Sequence, residues 1–195
     1  GFQFVTKGDK WLAYWGKFVS SEKFKKFHIW QHINHFPHAF EIGRKDKLWM
    51  NYCAMRLIHG TSLVNHLPET YVLPRSRPNL DRVFSTSPAW ILKPPASARG
   101  IGIKIITKAS SPPLATKRKE AICSRYISNP LLINNRKFDL RLYVLVTSFE
   151  PLRIYLYDHG LARFASEPYV KLKKKTLIFN RYTKMNGGKR SSYRY

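Results

Sequence analysis

The chain has 195 residues and a formal charge of +24 at pH 7, from 35 Lys+Arg against 11 Asp+Glu, which asks for an acidic partner. That length suits one domain or parts of two, and 44% hydrophobic with 14% aromatic residues exclude a disordered basic tail, which buries too little apolar surface to offset chain entropy. Apolar runs such as Leu142 to Val146 fall well short of the ~20 residues a membrane span needs.

In chain order, a Trp/Tyr-rich segment (Trp11, Tyr14, Trp15, Phe18) leads into a basic, helix-like piece from Glu22 to Phe27. His28, His32 and His35 follow at i, i+4 and i+7, so a helix would put three imidazoles on one face, a zinc-like arrangement. No Glu sits between them as in a metalloprotease, and Pro37 breaks the helix, so no metal site is assigned. A clearer helix follows Gly43-Arg44-Lys45. Asp46 suits its N-terminal dipole, Leu48, Tyr52 and Met55 share a face, and Gly60 is a stop. Pro68 to Pro88 is polar and Pro- and Ser-bearing, the composition of a linker or exposed loop.

From Trp90 the pattern turns to strands. Trp90 to Lys93 is apolar and stops at Pro94-Pro95, Ile101, Ile103 and Ile105 alternate, and Ala121 to Ile127 is a short strand. Phe138, Leu140, Leu142, Val144 and Val146 alternate over one longer strand, and turn signals at 148–152 and 158–160 predict a meander with strands near 153–157 and 161–165. The end from Val170 to Tyr195 is basic, without an acidic residue, and reads as poorly ordered. Only two cysteines occur, Cys53 and Cys123, too few for a disulfide scaffold, and both read as core residues of a reducing compartment. No signal peptide is visible, and the start at Gly1 leaves the natural N-terminus open.

Two segments carry chemistry. Around Arg99-Gly100-Ile101-Gly102, the missing Cβ atoms let backbone N–H groups approach phosphate oxygens, with Lys93 and Arg99 supplying charge. A Walker or dinucleotide loop must open a helix; here the glycines run into an alternating strand, so the segment is a flap over a nucleotide or an ordinary hairpin. In the run Lys137 to Tyr143, a strand places Lys137, Asp139 and Arg141 on one face and Phe138, Leu140 and Leu142 on the other. That polar face is a ligand-facing floor or a solvated face with cross-strand ion pairs. Arg163 can reach it from a later strand and fork onto a carboxylate.

The segments Asn34-His35-Phe36-Pro37, Ile42-Gly43-Arg44-Lys45-Asp46, Lys93-Pro94-Pro95-Ala96-Ser97-Ala98-Arg99-Gly100-Ile101-Gly102-Ile103, Arg125-Tyr126-Ile127, Lys137-Phe138-Asp139-Leu140-Arg141 and Gly160-Leu161 with Arg163-Phe164-Ala165-Ser166 occur in this order. Together with Pro151 to Tyr155, they resemble the tubulin tyrosine ligase-like family, in its polyglutamylase branch, over about residues 8 to 185. The resemblance implies an α/β (α+β) ATP-grasp fold, truncated at its C-terminal side. Its parts would be the end of an N-terminal domain (1–43), a central domain with the Gly-rich flap (44–127), and the start of a C-terminal domain with a basic tail (128–195). It implies a ligase that uses ATP and Mg²⁺ to activate a carboxylate on an acidic tubulin tail as an acylphosphate, which the amine of free L-glutamate attacks. The expected setting is cytoplasmic and cytoskeletal, on microtubules and within cilium or basal body, with no membrane partner.

Carried over position by position, the resemblance gives Lys93, Arg99, Gly100 and Gly102 as phosphate contacts, with Arg99 also near the protein substrate. Ser124, Arg125, Tyr126 and Ile127 form the adenine hinge. Lys137, Phe138 and Asp139 belong to the ATP site, Arg141 is a neighbouring cation, and Arg163 holds the glutamate carboxylate; Arg99, Arg141 and Arg163 form the catalytic set. The chain departs from the family pattern in three places. Ser124 stands where a glutamine is usual, and Asn180-Arg181 stands where a Thr-Asn pair contacts nucleotide, which puts Thr183 on a glutamate-contact position. After Asp139 the only acids are Glu150, Asp158 and Glu167, so the magnesium ligands are expected beyond residue 195. A non-catalytic tubulin-tail binder is the alternative function. A basic nucleic-acid-binding protein ranks third, as no RNA- or DNA-binding motif is present.

Overall fold

Short apolar strands separated by Pro and Gly dominate the second two-thirds of the chain, and helices the first third. The structure, a computed structural model, describes residues 11–98, 100–107 and 120–171. The chain divides into two units, Gly1–Asn65 and His66–Tyr195, and is a mixed α/β protein. Among the described residues no helix is long and apolar enough to cross a membrane.

In the first unit, β1 (Ala13–Tyr14) pairs in parallel with β2 (His32–Ile33). The basic stretch forms only a four-residue helix, α1 (Ser21–Phe24). The helix expected to align His28, His32 and His35 does not form. His32 lies in β2, and Asn34 and His35 are drawn to one backbone residue instead: Gly16 N–H donates to Asn34 Oδ1 (3.2 Å), and His35 Nε2 lies 2.7 Å from the Gly16 carbonyl. Among the described residues, no group of three or more His, Cys, Asp and Glu could hold a metal ion. Aromatic edges supply the local packing, Trp11 on Phe27 at 5.1 Å and Phe18 on Phe40 at 5.6 Å.

After the short α2 (Phe40–Gly43) comes α3, Lys45–His59, as its spacing predicts. Arg44 donates two hydrogen bonds to Asp46 (3.1 and 2.8 Å) at its start, and that contact holds the Asp46 carboxyl below its ordinary range. Gly60 ends the helix at φ 80°, a backbone region that a Cβ would penalise. Of the face shared by Leu48, Tyr52 and Met55, only Tyr52 is buried.

The second unit is built on an antiparallel sheet ordered β3-β6-β4-β5, from β3 (Thr70–Leu73), β4 (Ala89–Lys93), β5 (Lys104–Thr107) and β6 (Ala121–Arg125). Its first face carries Leu73, Trp90, Leu92, Ile106, Ala121 and Cys123, covered by Leu80 of α4 (Arg77–Val83) and by Val83 and Phe84. Trp90 is 0% exposed and its indole N–H donates to the Phe84 carbonyl at 3.0 Å. The second face carries Ala89, Ile91 and Tyr126 with Ile103 and Ile105 against them. The stretch 68–88 is therefore no linker: Leu73 and Leu80 are fully buried, Tyr71, Val83 and Phe84 are partly buried against them, and Pro78 sits in the first turn of α4 where its missing N–H costs nothing. Burial pushes the Cys123 thiol up to about 12, as expected of a core cysteine; Cys53 on α3 is only half-buried.

The long strand expected over 138–146 is two strands, β8 (Arg136–Arg141) and β9 (Val144–Phe149), interrupted at Leu142-Tyr143. The strands that follow, β10 (Leu152–Leu156) and β11 (Leu161–Phe164), do not continue a meander. β10 pairs back on β9 as a separate hairpin, and β11 returns to β8, giving a three-stranded order β11-β8-β7 with β7 (Leu132–Ile133). Alternation fixes which residues share a face; it does not choose the partner strand.

Candidate nucleotide and carboxylate site

Two sheets of the second unit meet at Lys137, which reaches from β8 to Tyr126 at the end of β6. On β4, Lys93 follows Ala89 and Ile91 at period two and so lies on the second face of the four-stranded sheet. Directly after it, the chain forms a loop that returns as β5, with Leu92 opposite Lys104. Gly100 and Gly102 sit in this loop at φ 73° and 74°. A Cβ on Gly102 would stand 2.7 Å from the Pro94 ring, so both backbone angle and close packing require glycine there. The loop is closed internally by Ser97 Oγ donating to the Ile101 carbonyl (3.2 Å) and Ile103 N–H donating to the Gly100 carbonyl (3.4 Å). It joins two antiparallel strands and opens no helix, which is the strand–loop–strand order read from the sequence. Arg99 lies outside the described residues.

The segment 124–127 ends β6. Ser124 is buried on the second face, and its hydroxyl oxygen accepts a 2.8 Å hydrogen bond from Thr70 across β3. Arg125 N–H donates to the Glu69 carbonyl (2.8 Å), its guanidinium pairs with the Glu69 carboxylate (2.6 Å), and its charge lies over the Trp90 ring at 5.8 Å. Tyr126 N–H donates to the Ala89 carbonyl (3.1 Å), and its ring is buried against Ala89 and Ile91; burial raises its phenol above the ordinary value. Ile127 is exposed. Glu69 also accepts from the Tyr71 hydroxyl, and burial followed by that contact raises the Tyr71 phenol to about 12.

Strand β8 presents Lys137, Asp139 and Arg141 on one face. Its partner β11 sets Arg163 directly opposite Asp139, and Arg163 forks onto the carboxylate with Nε–Oδ1 2.6 Å and Nη2–Oδ2 2.8 Å. This pair raises the Arg163 pKa further through hydrogen bonding and charge. The two side chains are well exposed, so the pair adds little stability while it positions both groups. Phe138 and Phe164 pack as a tilted pair across the same two strands on the opposite face, centroids 5.9 Å apart. Arg141 is exposed at the end of β8, opposite Leu161. Lys137 reaches out of β8 to the end of β6: its ammonium donates to the Tyr126 hydroxyl and lies over the Tyr126 and Tyr169 rings at 4.6 and 4.5 Å.

The arrangement thus brings Lys137, Asp139, Arg141 and Arg163 onto one face, and links that face through Tyr126 to the sheet that carries Lys93 and Ser124. Asn180, Arg181 and Thr183 lie outside the described residues. Glu69, Thr70 and Tyr169 bear on the site and carry no sequence signal: each is a single polar residue near a proline, without a motif or periodicity. Elsewhere a shallow cavity of about 470 Å³ lies on the β9–β10 hairpin, lined by Leu142, Tyr143, Val144, Leu145, Tyr155, Leu156 and Tyr157. Its lining holds no charged group and begins at Leu142, directly after Arg141.

The residues fit a nucleotide polyphosphate in kind. Lys93 lies on one sheet, opposite Ile122 and just before the glycine loop, and on the other Lys137 reaches Tyr126 from the face that carries a guanidinium fork suited to carboxylates. They do not fit a divalent metal. Asp139 is engaged by Arg163, and no acidic cluster accompanies it among the described residues.

Comparison with known proteins follows the same lines. Residues 22–190 match the family model described as Tubulin-tyrosine ligase family. The chain is 45% identical over 170 residues to Tubulin monoglutamylase TTLL4 of Homo sapiens, covering 86% of this chain and 14% of that protein. It is 46% identical over 170 residues to Tubulin polyglutamylase ttll-4 of Caenorhabditis briggsae, covering 86% and 28%. With Tubulin polyglutamylase TTLL5 of Homo sapiens the identity is 46% over 140 residues, covering 71% and 11%. The chain therefore spans between about a tenth and under a third of the length of these relatives.

Proposed function

The chain belongs to the tubulin-tyrosine ligase family, and from that premise we propose that it carries the nucleotide- and glutamate-binding face of an ATP-dependent tubulin glutamylase. The ATP-grasp architecture, with its division at 43/44 and 127/128, is part of the same proposal. The names of the relatives share glutamylation of tubulin and differ between mono- and polyglutamylase, so the reading commits to glutamate–amide formation and not to chain length.

The observation that carries the reading is the face formed by β8 and β11, where a lysine, a carboxylate and a guanidinium fork stand in register beside the hinge. Arg163 already grips a carboxylate, that of Asp139, with both of its forked donors. A free glutamate would present the same group to the same fork, with Asp139 released or sharing it. Lys93 and Lys137 neutralise phosphate charge, Arg99, Gly100 and Gly102 cover the phosphates, and Arg125, Tyr126 and Ile127 border the adenine. ATP, when bound, supplies the phosphoryl group that makes the acceptor carboxylate an acylphosphate reactive towards the glutamate amine. Magnesium ligands are to be sought outside the described residues. The excess of cations, 35 against 11 acids, steers a polyanionic tubulin tail to the protein, so the expected location is the cytoplasmic microtubule cytoskeleton, cilium and basal body included.

The test is transfer of labelled glutamate to tubulin by the longest form of the protein that its gene encodes. Incorporation is expected to require ATP and to disappear on tubulin stripped of its acidic tails. Arg163→Ala is expected to raise the KM for glutamate by at least about tenfold, the loss of one bidentate charge-assisted contact, with the KM for ATP little changed. Tail binding without any glutamate transfer would instead establish the non-catalytic binder.

A further inference from the structure

Lysine is a flexible point charge on a four-carbon stem, and a phosphate-binding lysine that samples many rotamers spends binding energy on being ordered. Lys137 is not left to sample them. Its ammonium donates to the Tyr126 hydroxyl and lies 4.6 Å from the Tyr126 ring centroid and 4.5 Å from that of Tyr169, so two aromatic rings bound its position. Tyr126 is fixed by burial in the sheet. Tyr169 belongs to no strand or helix, yet it is tied at both ends. Its hydroxyl donates to the Ser128 carbonyl at 2.7 Å, and its backbone N–H donates to the Asn135 carbonyl at 2.7 Å. These two anchors lie on either side of β7.

The segment that delivers Tyr169 is held as well. Ala165 N–H donates to the Lys137 carbonyl (2.8 Å), and the Arg136 guanidinium donates to the Ala165 and Ser166 carbonyls (3.3 and 2.7 Å). The residues on either side of this segment thus serve opposite ends of one device. Arg163 grips the carboxylate of Asp139, and six positions later Tyr169 walls in Lys137, two positions before Asp139.

We propose that Tyr169 is a positioning residue of the nucleotide site, closing with Tyr126 a two-ring cradle that holds the Lys137 ammonium in place for a phosphate oxygen. This rests on the reading of Lys137 as a nucleotide contact. The cradle acts on nucleotide affinity, because it spares ATP the ordering of the lysine. The aromatic faces contribute geometry and charge compensation and no proton transfer. The ring lies against the ammonium, while the hydroxyl anchors it to Ser128 and hydrogen-bonds with Tyr126.

The experiment combines two readouts on the longest form of the protein that its gene encodes. First, side-chain NMR of the nucleotide-free protein is expected to show the Lys137 ε-methylene protons shifted upfield by ring currents. The shift is expected to persist in Tyr169→Phe and to shrink in Tyr169→Leu. Second, Tyr169→Leu is expected to raise the KM for ATP about tenfold, or about 1.4 kcal/mol, with kcat and the KM for glutamate within about twofold and Tyr169→Phe near wild type. An unshifted Lys137 in the wild type would overturn the cradle. A cradle seen by NMR but lost in Tyr169→Leu without change in the KM for ATP would overturn the positioning role. Equal rises in the KM of ATP and glutamate in Tyr169→Leu, shared by Tyr169→Phe, would assign Tyr169 to structure alone and overturn it too. Failure of the wild type to bind ATP, with the ring-current shift present, would refute the nucleotide reading and with it the positioning role, and the intact shift would separate that outcome from a misplaced ring.

Discussion

The four-stranded sheet and the β9–β10 hairpin are written in the same code and meet opposite fates. Both are antiparallel, with apolar residues on both faces of their strands. In the sheet, Trp90, Leu73, Cys123 and Leu80 of the covering helix are almost wholly enclosed. In the hairpin, Tyr155 stands opposite Leu145 and Ile154 opposite Val146, yet Leu145 is 61% and Tyr155 57% exposed. The difference is the covering layer. α4 and the turn at Phe84 seal one face of the sheet, whereas among the described residues no helix or loop of comparable apolar content lies over the hairpin. An apolar strand states that a face has to be covered and says nothing about what covers it.

This contrast can be broken by substitution. Trp90→Ala empties the most enclosed site of the sheet, frees the Phe84 carbonyl and removes the ring beneath Arg125. It is expected to cost about 3–5 kcal/mol in urea unfolding. Thr70→Val keeps shape but removes the hydroxyl that donates to buried Ser124, and is expected to cost about 1–3 kcal/mol for an unsatisfied buried partner. At the other extreme, Leu145→Ala in the hairpin is expected to stay within about 0.5 kcal/mol. A hairpin variant as damaging as Trp90→Ala would mean that the hairpin is covered in solution, and the comparison would fail.

Much of the scaffold is legible in the residues themselves. The helix after Arg44 shows its start, its N-terminal acid and its glycine stop, β4 shows its apolar run, and β8 shows its alternation. The glycine loop is legible too, because the residues after Gly102 alternate as a strand and cannot open a helix. What is not legible depends on partners. The stretch 68–88 hides a strand and a helix because its polar residues outnumber the apolar ones, yet Leu73 and Leu80 are enough to seal it to the sheet. The histidines keep helical spacing in a segment whose backbone instead pairs with Trp11 to Gly16. The break at Leu142-Tyr143 follows from β11 returning to β8, a pairing that no local pattern encodes.

The site divides in the same way. Lys137, Asp139 and Arg141 share a face by the period of a strand, so their company was readable at once. That Arg163 lands opposite Asp139 is a matter of register across 24 residues, which the sequence can allow but not specify. Tyr169 arrives through a loop anchored by two backbone carbonyls, a contact with no side-chain signature.

The central claim is that the second unit binds a nucleotide between the glycine loop of β4–β5 and the polar face of β8. Equilibrium binding of ATP to the protein and to its Lys93→Ala variant tests it most directly. The account predicts saturable binding that falls at least about tenfold in the variant, the loss of one charge-assisted phosphate contact, with unchanged unfolding midpoint. ATP affinity equal in the two proteins, or no binding by either, would contradict it.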